Sequence, residues 1–597
     1  MKCLEYPFDG QYLLKKKKRI RKELLEDGSS RIVRKIAMLG GSTTNDIRAM
    51  LELFLLNYGI APEFYESEYD QYYEEAMFPG EALTAFAPDI VYLHTSGRNI
   101  SRFPALADSQ ERVEEMLEQE VGKYTAMWES IREKFHCAVI QNNFEYPYYR
   151  LLGNKEASDI HGKVNYITRL NLLFAEYARS HEKFYIHDIN YLSASYGLEQ
   201  WSDPFYWHMY KYCCCVPAIP DFAFSLARMI KSLSGKNKKG YVLDLDNTLW
   251  GGVIGDDGVD RIEIGQETSM GQVYQEFQRY LKEQTQLGVL LNIDSKNDYE
   301  NAVAGLAHPQ SVLRKEDFIE IMANWEPKDR NLARIAEKLQ LLPESLVFVD
   351  DNPAERAIVG AQLPGVAVPE IGTVEHYVKI LDRSGFFEAT DISNDDLKRN
   401  EMYQENAKRA ALQASFATYE DYLLSLEMKA QIRPFAPVYM ARIAQLTNKS
   451  NQFNLTTKRY SQSEIEAAAA DESRITLYGR LEDRFGDNGV VSVVIGRLEG
   501  EALLIELWLM SCRVLKRDME CAMMDTLVAQ AQERDVRTIC GFYYPTAKNG
   551  MVKEFYGQRG FTKVEEDGQG NTKWQLAVSE YKRQNKVIEV DTGQTTA

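Results

Sequence analysis

Short apolar runs that end in polar or glycine residues recur along the first two thirds of the chain, separated by helical patterns. These runs are residues 34–39, 89–94, 138–142, 184–188, 241–243, 288–293 and 346–349. Strands that alternate with helices form parallel sheets, and ligands gather beyond the carboxyl ends of such strands. The pattern therefore predicts two parallel-sheet α/β domains, with candidate sites at the strand ends.

The last third follows a different pattern. It opens with helical sequence and then shows strand-like runs at 475–477, 490–495, 503–510 and 538–544. Asp487-Asn488-Gly489 between the first two runs predicts a hairpin turn. Polar stretches at 231–240 and 388–399 indicate domain boundaries. The predicted segments are an N-terminal basic segment 1–30, domains 31–235, 236–388 and 389–580, and a C-terminal tail 581–597.

Composition narrows the function classes. The chain has 597 residues and a formal net charge of −18, which argues against nucleic acid as the main partner. The basic run Lys15–Lys22 is expected to be the solvated face of an N-terminal helix rather than an RNA or membrane patch. No apolar stretch approaches the ~20 residues that span a bilayer. Eight cysteines without a CxxC pair predict a cytoplasmic protein.

Asp244 and Asp246 follow the strand at 241–243 directly. Alternate residues of a strand point to one side, so a straight strand would bring both carboxylates together. Repulsion between such groups is relieved by a shared proton or by a divalent cation. An Asx-turn with helix capping is the alternative explanation, because Asp-Asn-Thr after a strand favours it.

Polar side chains also follow the next strands. Ser295-Lys296-Asn297 ends one, Asp350-Asp351 ends another, and Lys328 lies in a loop between them. One carboxylate, Asp244, can attack phosphorus while Asp246 moves the leaving-group proton. A hydroxyl and a lysine can hold the phosphoryl oxygens, although Pro327-Lys328 is equally suited to begin a helix. The predicted ligands of Mg²⁺ are Asp244, Asp246, Asp350 and Asp351.

Together these motifs resemble the haloacid dehalogenase (HAD) superfamily: DxDxT at Asp244 to Thr248, then Ser295, Lys328 and Asp350-Asp351. The longer stretches LDLDNTLWGGVIGDDG, SKN, HPQSVLRKEDF, NWEPK and FVDDNPAER resemble FkbH-like proteins. That resemblance implies a magnesium-dependent enzyme that binds a small phosphorylated acid. It also implies transfer of a glyceryl unit from a phosphorylated glycerate to an acyl carrier protein. The residues implied to bind substrate are Thr248, Ser295, Lys296 and Asn297.

One position departs from this family. A cysteine often stands just before Ser-Lys-Asn in FkbH-like proteins, and Asp294 occupies that position here. An acyl group carried by that thiol has no attachment point at residue 294 in this chain.

The first domain resembles an SGNH hydrolase. Its candidate residues are Ser42, Asn142, Asp203 and His208. The first block reads Gly-Gly-Ser instead of Gly-Asp-Ser, and four residues separate the terminal pair instead of two. Esterase activity and a degenerate docking domain are both compatible with this sequence.

The third domain resembles a GNAT acyltransferase, with a loop at 511–518 that opens a helix and a later FYxxxGF. Arg513 and Tyr556 are its predicted substrate-binding residues, but Lys516 and Asp518 stand where the phosphate loop has glycines. Cys512 is the candidate for a catalytic thiol carrying an acyl thioester, because a helix N-terminus beside Arg513 favours thiolate. A buried structural cysteine in a scaffold domain is the alternative.

The predicted fold class is thus α/β with three domains: SGNH-like, HAD-type and Rossmann-like without a large cap, and GNAT-like. The leading functional hypothesis is HAD-type phosphoryl transfer with Mg²⁺, coupled to acyl loading of a carrier protein. A plain phosphomonoesterase is one alternative. A carrier-protein docking scaffold is the other.

Overall fold

The computed structural model describes residues 1–413, 415–450, 452–511, 514–546 and 548–593. It divides into two compact units, one of residues 1–237 with 382–390 and one of residues 238–381 with 391–597. The described residues form three β-sheets, one in the first unit and two in the second. The expected mixture of parallel α/β sheets and a further mixed sheet is confirmed, while the domain boundaries stay a prediction.

The first unit is built on a five-stranded parallel sheet of order β2-β1-β3-β4-β5. The strands are β1 Ile32–Gly40, β2 Ile60–Glu66, β3 Ile90–His94, β4 Ala138–Asn142 and β5 Phe184–His187. Ile36 and Met38 pack into one apolar cluster and Ala37 and Leu39 into another, since successive residues of a strand face opposite sides. Both faces of this sheet are therefore buried.

Ten helices surround this sheet among the described residues. They are α1 Gly10–Glu26, α2 Asn45–Asn57, α3 Tyr72–Met77, α4 Glu81–Phe86, α5 Gln110–Phe135, α6 Lys163–Ser180, α7 Ile189–Tyr196, α8 Leu198–Trp201, α9 Pro204–Tyr210 and α10 Ile219–Leu233. Helix α1 buries Leu13, Ile20 and Leu24, while Lys17 pairs with Asp46 at 2.6 Å. The basic run is the outer face of a packed helix, as predicted.

The second unit begins with a four-stranded parallel sheet of order β8-β7-β6-β9. Its strands are β6 Gly240–Leu243, β7 Leu290–Ser295, β8 Phe318–Ala323 and β9 Leu346–Val349. The associated helices are α11 Ile254–Asp257, α12 Ser269–Thr285, α13 Tyr299–Leu306, α14 Lys328–Lys338, α15 Pro353–Gln362 and α16 Tyr377–Ser384. Strand β6 lies between β7 and β9, so the ends of these three strands are neighbours.

The rest of the second unit forms a nine-stranded mixed sheet. Its strands are β10 Met428–Arg433, β11 Phe453–Asn454, β12 Arg474–Asp483, β13 Gly486–Glu499, β14 Ala502–Met510, β15 Thr538–Tyr543, β16 Thr562–Glu566, β17 Thr572–Ala577 and β18 Ile588–Asp591. Its helices are α17 Asn394–Leu397, α18 Arg399–Gln413, α19 Tyr419–Ser425, α20 Met440–Lys449, α21 Gln462–Ala470, α22 Met519–Glu533 and α23 Phe555–Gln558. Helix α22 packs Met519, Met523 and Leu527 into the core.

Three local predictions need correction. Strand β2 was not predicted, because Pro62 and two glutamates interrupt its apolar pattern. The strand lies at the edge of the sheet, where proline and charged residues are tolerated. The segment predicted as a C-terminal tail contains β18, which pairs in parallel with β10. The hairpin turn lies at Arg484-Phe485, where Asp483 pairs with Gly486, and Asp487-Asn488-Gly489 is part of β13.

A buried ion network explains the position of that turn. Arg409 on α18 donates to both carboxylate oxygens of Asp483, at 2.8 and 2.7 Å. Arg517 donates to the same carboxylate at 3.0 Å, and the Phe485 amide donates to it at 2.9 Å. The side chain of Asp483 is completely buried. These bonds hold the end of β12 in place, so the strand extends to Asp483 and the turn follows it.

We expect Asp483→Asn to lower the free energy of unfolding by about 3–5 kcal/mol, because it leaves two buried guanidinium groups poorly compensated. Asp487→Asn in the same hairpin is the matched control. Its partner Arg480 is partly exposed, so we expect a loss of at most about 1 kcal/mol. Urea unfolding followed by circular dichroism measures both. Equal losses in the two variants would contradict the role given to Asp483.

Candidate phosphoryl-transfer site

The carboxyl ends of β6, β7 and β9 meet at one edge of the four-stranded sheet. Asp244 follows β6, Ser295 ends β7, and Asp350 follows β9. Because the strands are parallel and adjacent, these residues converge on one cleft. Lys328 is the first residue of α14, and its side chain lies in the same cleft. Lys328 therefore both begins a helix and belongs to the candidate site.

Three carboxylates and one lysine form the centre of the cleft. Carboxylate oxygens of Asp244, Asp350 and Asp351 lie within 4.8 Å of one another. The Lys328 ammonium is 2.9 Å from Asp244 Oδ1 and 2.5 Å from Asp350 Oδ2. Asp350 and Lys328 are buried, and Asp244 is nearly so. One ammonium group thus faces three carboxylates in a region with little solvent.

The closeness of these charged groups shifts the pKa values of Asp350, Asp351 and Lys328. Burial, together with the Asp244 charge, raises the pKa of Asp350 to about 6. The same two causes raise the pKa of Asp351. Burial alone would lower the pKa of Lys328, but the Asp244 and Asp350 carboxylates raise it overall. Lys328 is therefore a fixed cation, and the carboxylates still lack compensating positive charge.

Asp246 lies outside this carboxylate group, although it was predicted as a metal ligand. Strand β6 ends at Leu243, so the chain turns before the second aspartate instead of running straight. Asp246 Oδ1 accepts from Trp250 Nε1 at 2.9 Å and from the Ile254 amide at 3.1 Å. Its Oδ2 accepts from Asn297 Nδ2 at 3.1 Å. Asp246 therefore lines the cleft with its carboxylate held by contacts within the chain, and its backbone contact to the Ile254 amide, eight residues on, is not the Asx-turn that the alternative explanation expected.

Ser295 and Lys296 are the predicted substrate-binding residues that line a cleft of about 330 Å³, together with Asp244, Asp246, Lys328 and Asp351. Thr248 is buried and its hydroxyl accepts from the Asp351 amide at 3.2 Å. Lys296 pairs with Glu355 at 2.5 Å at the cleft wall. Asn297 is occupied by Asp246, so its contribution is to orient that carboxylate.

Asp294 occupies the position where FkbH-like proteins often have a cysteine, and its side chain is buried. Its burial and protonation were not predicted from the sequence. Its Oδ1 accepts from Asn331 Nδ2 at 3.1 Å, and its Oδ2 is buried without a hydrogen-bond partner. Burial raises the pKa of Asp294 to about 8, against the opposing effects of Asn331 and Lys328. The side chain therefore stays protonated at neutral pH and adds no fourth negative charge behind the cluster.

The residues proposed for an SGNH site do not assemble as expected. Ser42 and Asn142 are buried near the carboxyl ends of β1 and β4. Asp203 caps α9 by accepting from the Phe205 amide at 2.8 Å, and His208 is exposed on that helix. No hydrogen bond joins His208 to Ser42 in the described part of the chain. A serine–histidine pair of these two residues is therefore not formed in this structure, and it stays a prediction.

The GNAT-like loop is only partly described. Cys512 and Arg513 lie outside the described residues, so their roles stay predictions. Lys516 and Asp518 adopt φ of 64° and 57°, the conformation that glycine favours. Arg517 between them is bound to Asp483, and Tyr419 donates to the Lys516 carbonyl. The Arg517 side chain and the Lys516 carbonyl are therefore committed to contacts within the chain.

Tyr556 was predicted to bind substrate, and the structure corrects this. Its side chain is fully buried between Phe555 and Phe561. A Cβ at Gly541 would lie 2.3 Å from the ring, so the glycine makes room for it. Tyr556 is a core residue of the mixed sheet.

The carboxylate group fits a magnesium ion. Its donors are all oxygens, which Mg²⁺ prefers, and Asp244, Asp350 and Asp351 are close enough to share one ion. A cation there would supply the positive charge that Lys328 alone does not. Asp244, Asp350 and Asp351 are the residues that would hold it.

Comparisons with known proteins agree with this arrangement. The family described as "FkbH, N-terminal domain" matches residues 35–231. A crystal structure of the N-terminal part of protein BF1531 from Bacteroides fragilis, containing a phosphatase domain complexed with Mg, is 26% identical. It covers 63% of this chain and 98% of its own, with a TM-score of 0.57. The chain is thus structurally similar to a HAD-like phosphatase domain.

Two acetyltransferases give weaker similarities. The ribosomal-protein-S18-alanine N-acetyltransferase of Escherichia coli is 11% identical and covers 26% of this chain and 99% of its own, with a TM-score of 0.21. Ard1 of Thermoplasma volcanium is 17% identical and covers 25% and 97%, with a TM-score of 0.20. No curated protein matches the chain. No helix in the described residues has the length and apolar character needed to cross a membrane.

We expect Mg²⁺ affinity to fall as pH drops below about 6, by roughly tenfold per unit, because protons compete for Asp350. Titration calorimetry at about pH 7.5 and about pH 5.5 measures this effect. Asp351→Asn should weaken binding at both values. Glu355→Gln is the control, since that residue lines the cleft but pairs with Lys296. Affinity that does not change with pH would remove these carboxylates from the ion's shell.

We expect Asp294→Asn to stabilise the metal-free chain more at about pH 8 than at about pH 5. The folded chain keeps the Asp294 proton up to about pH 8, whereas an unfolded chain loses it near pH ~4. Between these values the folded form binds more protons, so the parent's free energy of unfolding falls as pH rises. Thermal melts in EDTA test this, with the exposed Asp256→Asn as control. An equal shift at both pH values would show that Asp294 is ionised in the fold.

Proposed function

We propose that this chain is a magnesium-dependent phosphoryl-transfer enzyme that acts on a small phosphorylated acid. The carrying observation is the convergence of Asp244, Asp350, Asp351 and Lys328 at the ends of adjacent parallel strands. The similarity to the Mg-complexed phosphatase domain from Bacteroides fragilis supports it. The cleft of about 330 Å³ is of a size for a small molecule such as a phosphoglycerate.

In this proposal Asp244 is the nucleophile. Its carboxylate lies in the cleft next to Lys328, whose ammonium group can hold a phosphoryl oxygen. Attack of a carboxylate oxygen on phosphorus forms an aspartyl phosphate and releases the substrate alkoxide. Ser295 lines the same cleft and offers a hydroxyl to the transferring group. The bound cation would supply charge stabilisation for the phosphoryl oxygens.

Asp246 is the proposed acid–base residue. Burial, opposed by the Ile254 amide and Trp250, raises its pKa, so the group can carry a proton nearer to neutral pH. Three hydrogen bonds fix the carboxylate, so its position relative to the cleft is set before substrate binds. It can protonate the leaving oxygen and later take a proton from the attacking water.

Coupling to an acyl carrier protein is the finer part of the proposal. The match of residues 35–231 to the FkbH N-terminal family supports a carrier-protein context. Cys512 and Arg513 remain the proposed acyl-bearing thiol and its neighbour in the third domain. Free acyl-CoA is the less suitable donor there, because Lys516 and Asp518 carry side chains where the phosphate loop has glycines, and a carboxylate at residue 518 would repel a phosphate. A pantetheine arm delivered by a carrier protein needs less of that loop.

A plain phosphomonoesterase is the second candidate. Lys516 and Asp518, which stand where the phosphate loop of an acyltransferase has glycines, favour it, because the third domain then contributes a scaffold and not an acyl-transfer site. Incubation with Mg²⁺ and phosphoglycerates, with and without a pantetheinylated carrier protein, separates the two. Phosphate release that never leads to a mass increase of the carrier identifies the phosphomonoesterase.

We expect Asp244→Asn to reduce phosphate release from para-nitrophenyl phosphate or a phosphoglycerate by ~10³-fold or more. The substitution removes the nucleophile without changing side-chain volume, so circular dichroism should match the parent. Asp256→Asn, at an exposed position of the short helix α11, is the matched control and should keep parental activity. Retained turnover in Asp244→Asn would move the chemistry away from this residue.

A further inference from the structure

The loop after α9 brings a cysteine to the carboxyl edge of the first sheet, far from the carboxylate cleft in sequence. Cys213 Sγ lies 3.5 Å from Nε2 of His94, the last residue of β3. His94 is completely buried, whereas Cys213 keeps 9% of its surface exposed. Cys213 is therefore the less completely buried residue of the pair.

Two side chains lie at Nδ1 of the His94 ring. The Tyr92 hydroxyl is 3.0 Å away and Asn142 Nδ2, which also donates to the Thr95 carbonyl at 3.0 Å, is 3.2 Å away. Because Tyr92 donates its own proton to Asn142 Oδ1 at 2.8 Å, its oxygen is the acceptor that Nδ1–H can use, whereas the amide nitrogen can only donate. That tautomer leaves Nε2 as an acceptor facing the thiol. His94 is thus placed as a base beside the Cys213 thiol, and Tyr92 orients the imidazole ring.

Two further observations support a reactive thiol. The neighbouring Cys214 thiol and the His94 imidazole lower the pKa of Cys213, although burial opposes them. The Ser42 hydroxyl lies beside the sulfur and is buried without a well-formed hydrogen bond. A buried polar group left in this state points to a ligand that completes its bonding.

A metal site is the competing explanation for a cysteine beside a histidine. Within the described residues, the carboxylates of the second unit are the group of three or more His, Cys, Asp or Glu side chains placed to share an ion. Cys213 has His94 and the Cys214 thiol beside it, but no third side chain among the described residues is placed to share an ion with them. His187 next to Asn142 has its pKa lowered to about 3 by burial and by His94, so it stays neutral and packs against Phe222.

We propose that Cys213 and His94 form a second reactive centre, in which the thiol takes an acyl group from an activated ester or thioester. The thiol proton passes to His94 Nε2 as Sγ bonds to the carbonyl carbon. The bond from that carbon to the leaving oxygen or sulfur then breaks, and His94 returns the proton to the leaving group. The product is a thioester on Cys213 and a free alcohol or thiol. Tyr92 and Asn142 are positioning residues for His94.

This centre is independent of the proposed phosphoryl transfer, and one reagent tests it. The full-length chain is mixed with para-nitrophenyl acetate, quenched in acid and digested for peptide mass mapping. We expect one acetyl group on Cys213 and a matching burst of nitrophenolate. Asp244→Asn should keep this labelling, so loss of phosphatase activity and loss of acylation are separate results.

Matched variants assign the residues. Cys213→Ala should abolish the burst, while Cys215→Ala, whose sulfur lies by Tyr196 instead, should keep it. His94→Gln should slow acylation by about 10²-fold, because it removes the base. The two cysteine variants decide the matter even if His94→Gln fails to fold. An acetyl group found on Ser42 or Cys512 and not on Cys213, or an unchanged burst in Cys213→Ala, would overturn the proposal.

Discussion

Three carboxylates held against one buried lysine are the constraint on which the second unit's site depends. Asp244, Asp350 and Asp351 lie close enough to repel, and Lys328 compensates only part of their charge. Burying like charges is unfavourable unless a cation or protons relieve it. Burial and the neighbouring carboxylates accordingly raise the pKa of Asp350 and that of Asp294. A divalent cation bound by these carboxylates would relieve their repulsion and add the positive charge that Lys328 alone does not supply.

Both parallel sheets place chemistry at the same kind of edge. In the four-stranded sheet the ends of β6, β7 and β9 supply carboxylates and a hydroxyl. In the five-stranded sheet the ends of β1, β3 and β4 supply Ser42, His94 and Asn142. Parallel strands with buried faces leave this edge as the place where polar side chains can gather without disrupting the core. The two centres therefore follow from one architectural rule applied twice.

Much of the first of these sites could be predicted from sequence, because its residues follow short apolar strands directly. Strand-end position alone located Asp244, Ser295 and Asp350. The direction of Asp246 could not be predicted, since it depends on how early β6 ends. The Cys213–His94 contact joins residues 119 positions apart, and the turn at Arg484-Phe485 depends on Arg409 from a distant helix. Contacts of this kind leave no local pattern in the chain.

The most direct test of the central claim is to trap the phosphoryl group on the chain. Radiolabelled substrate and Mg²⁺ are mixed with the protein, and turnover is stopped in acid within the first cycles. The account predicts an acid-stable label on the peptide that carries Asp244, formed only with Mg²⁺. Rapid phosphate release with no label on that peptide, or a label on another residue, would contradict it.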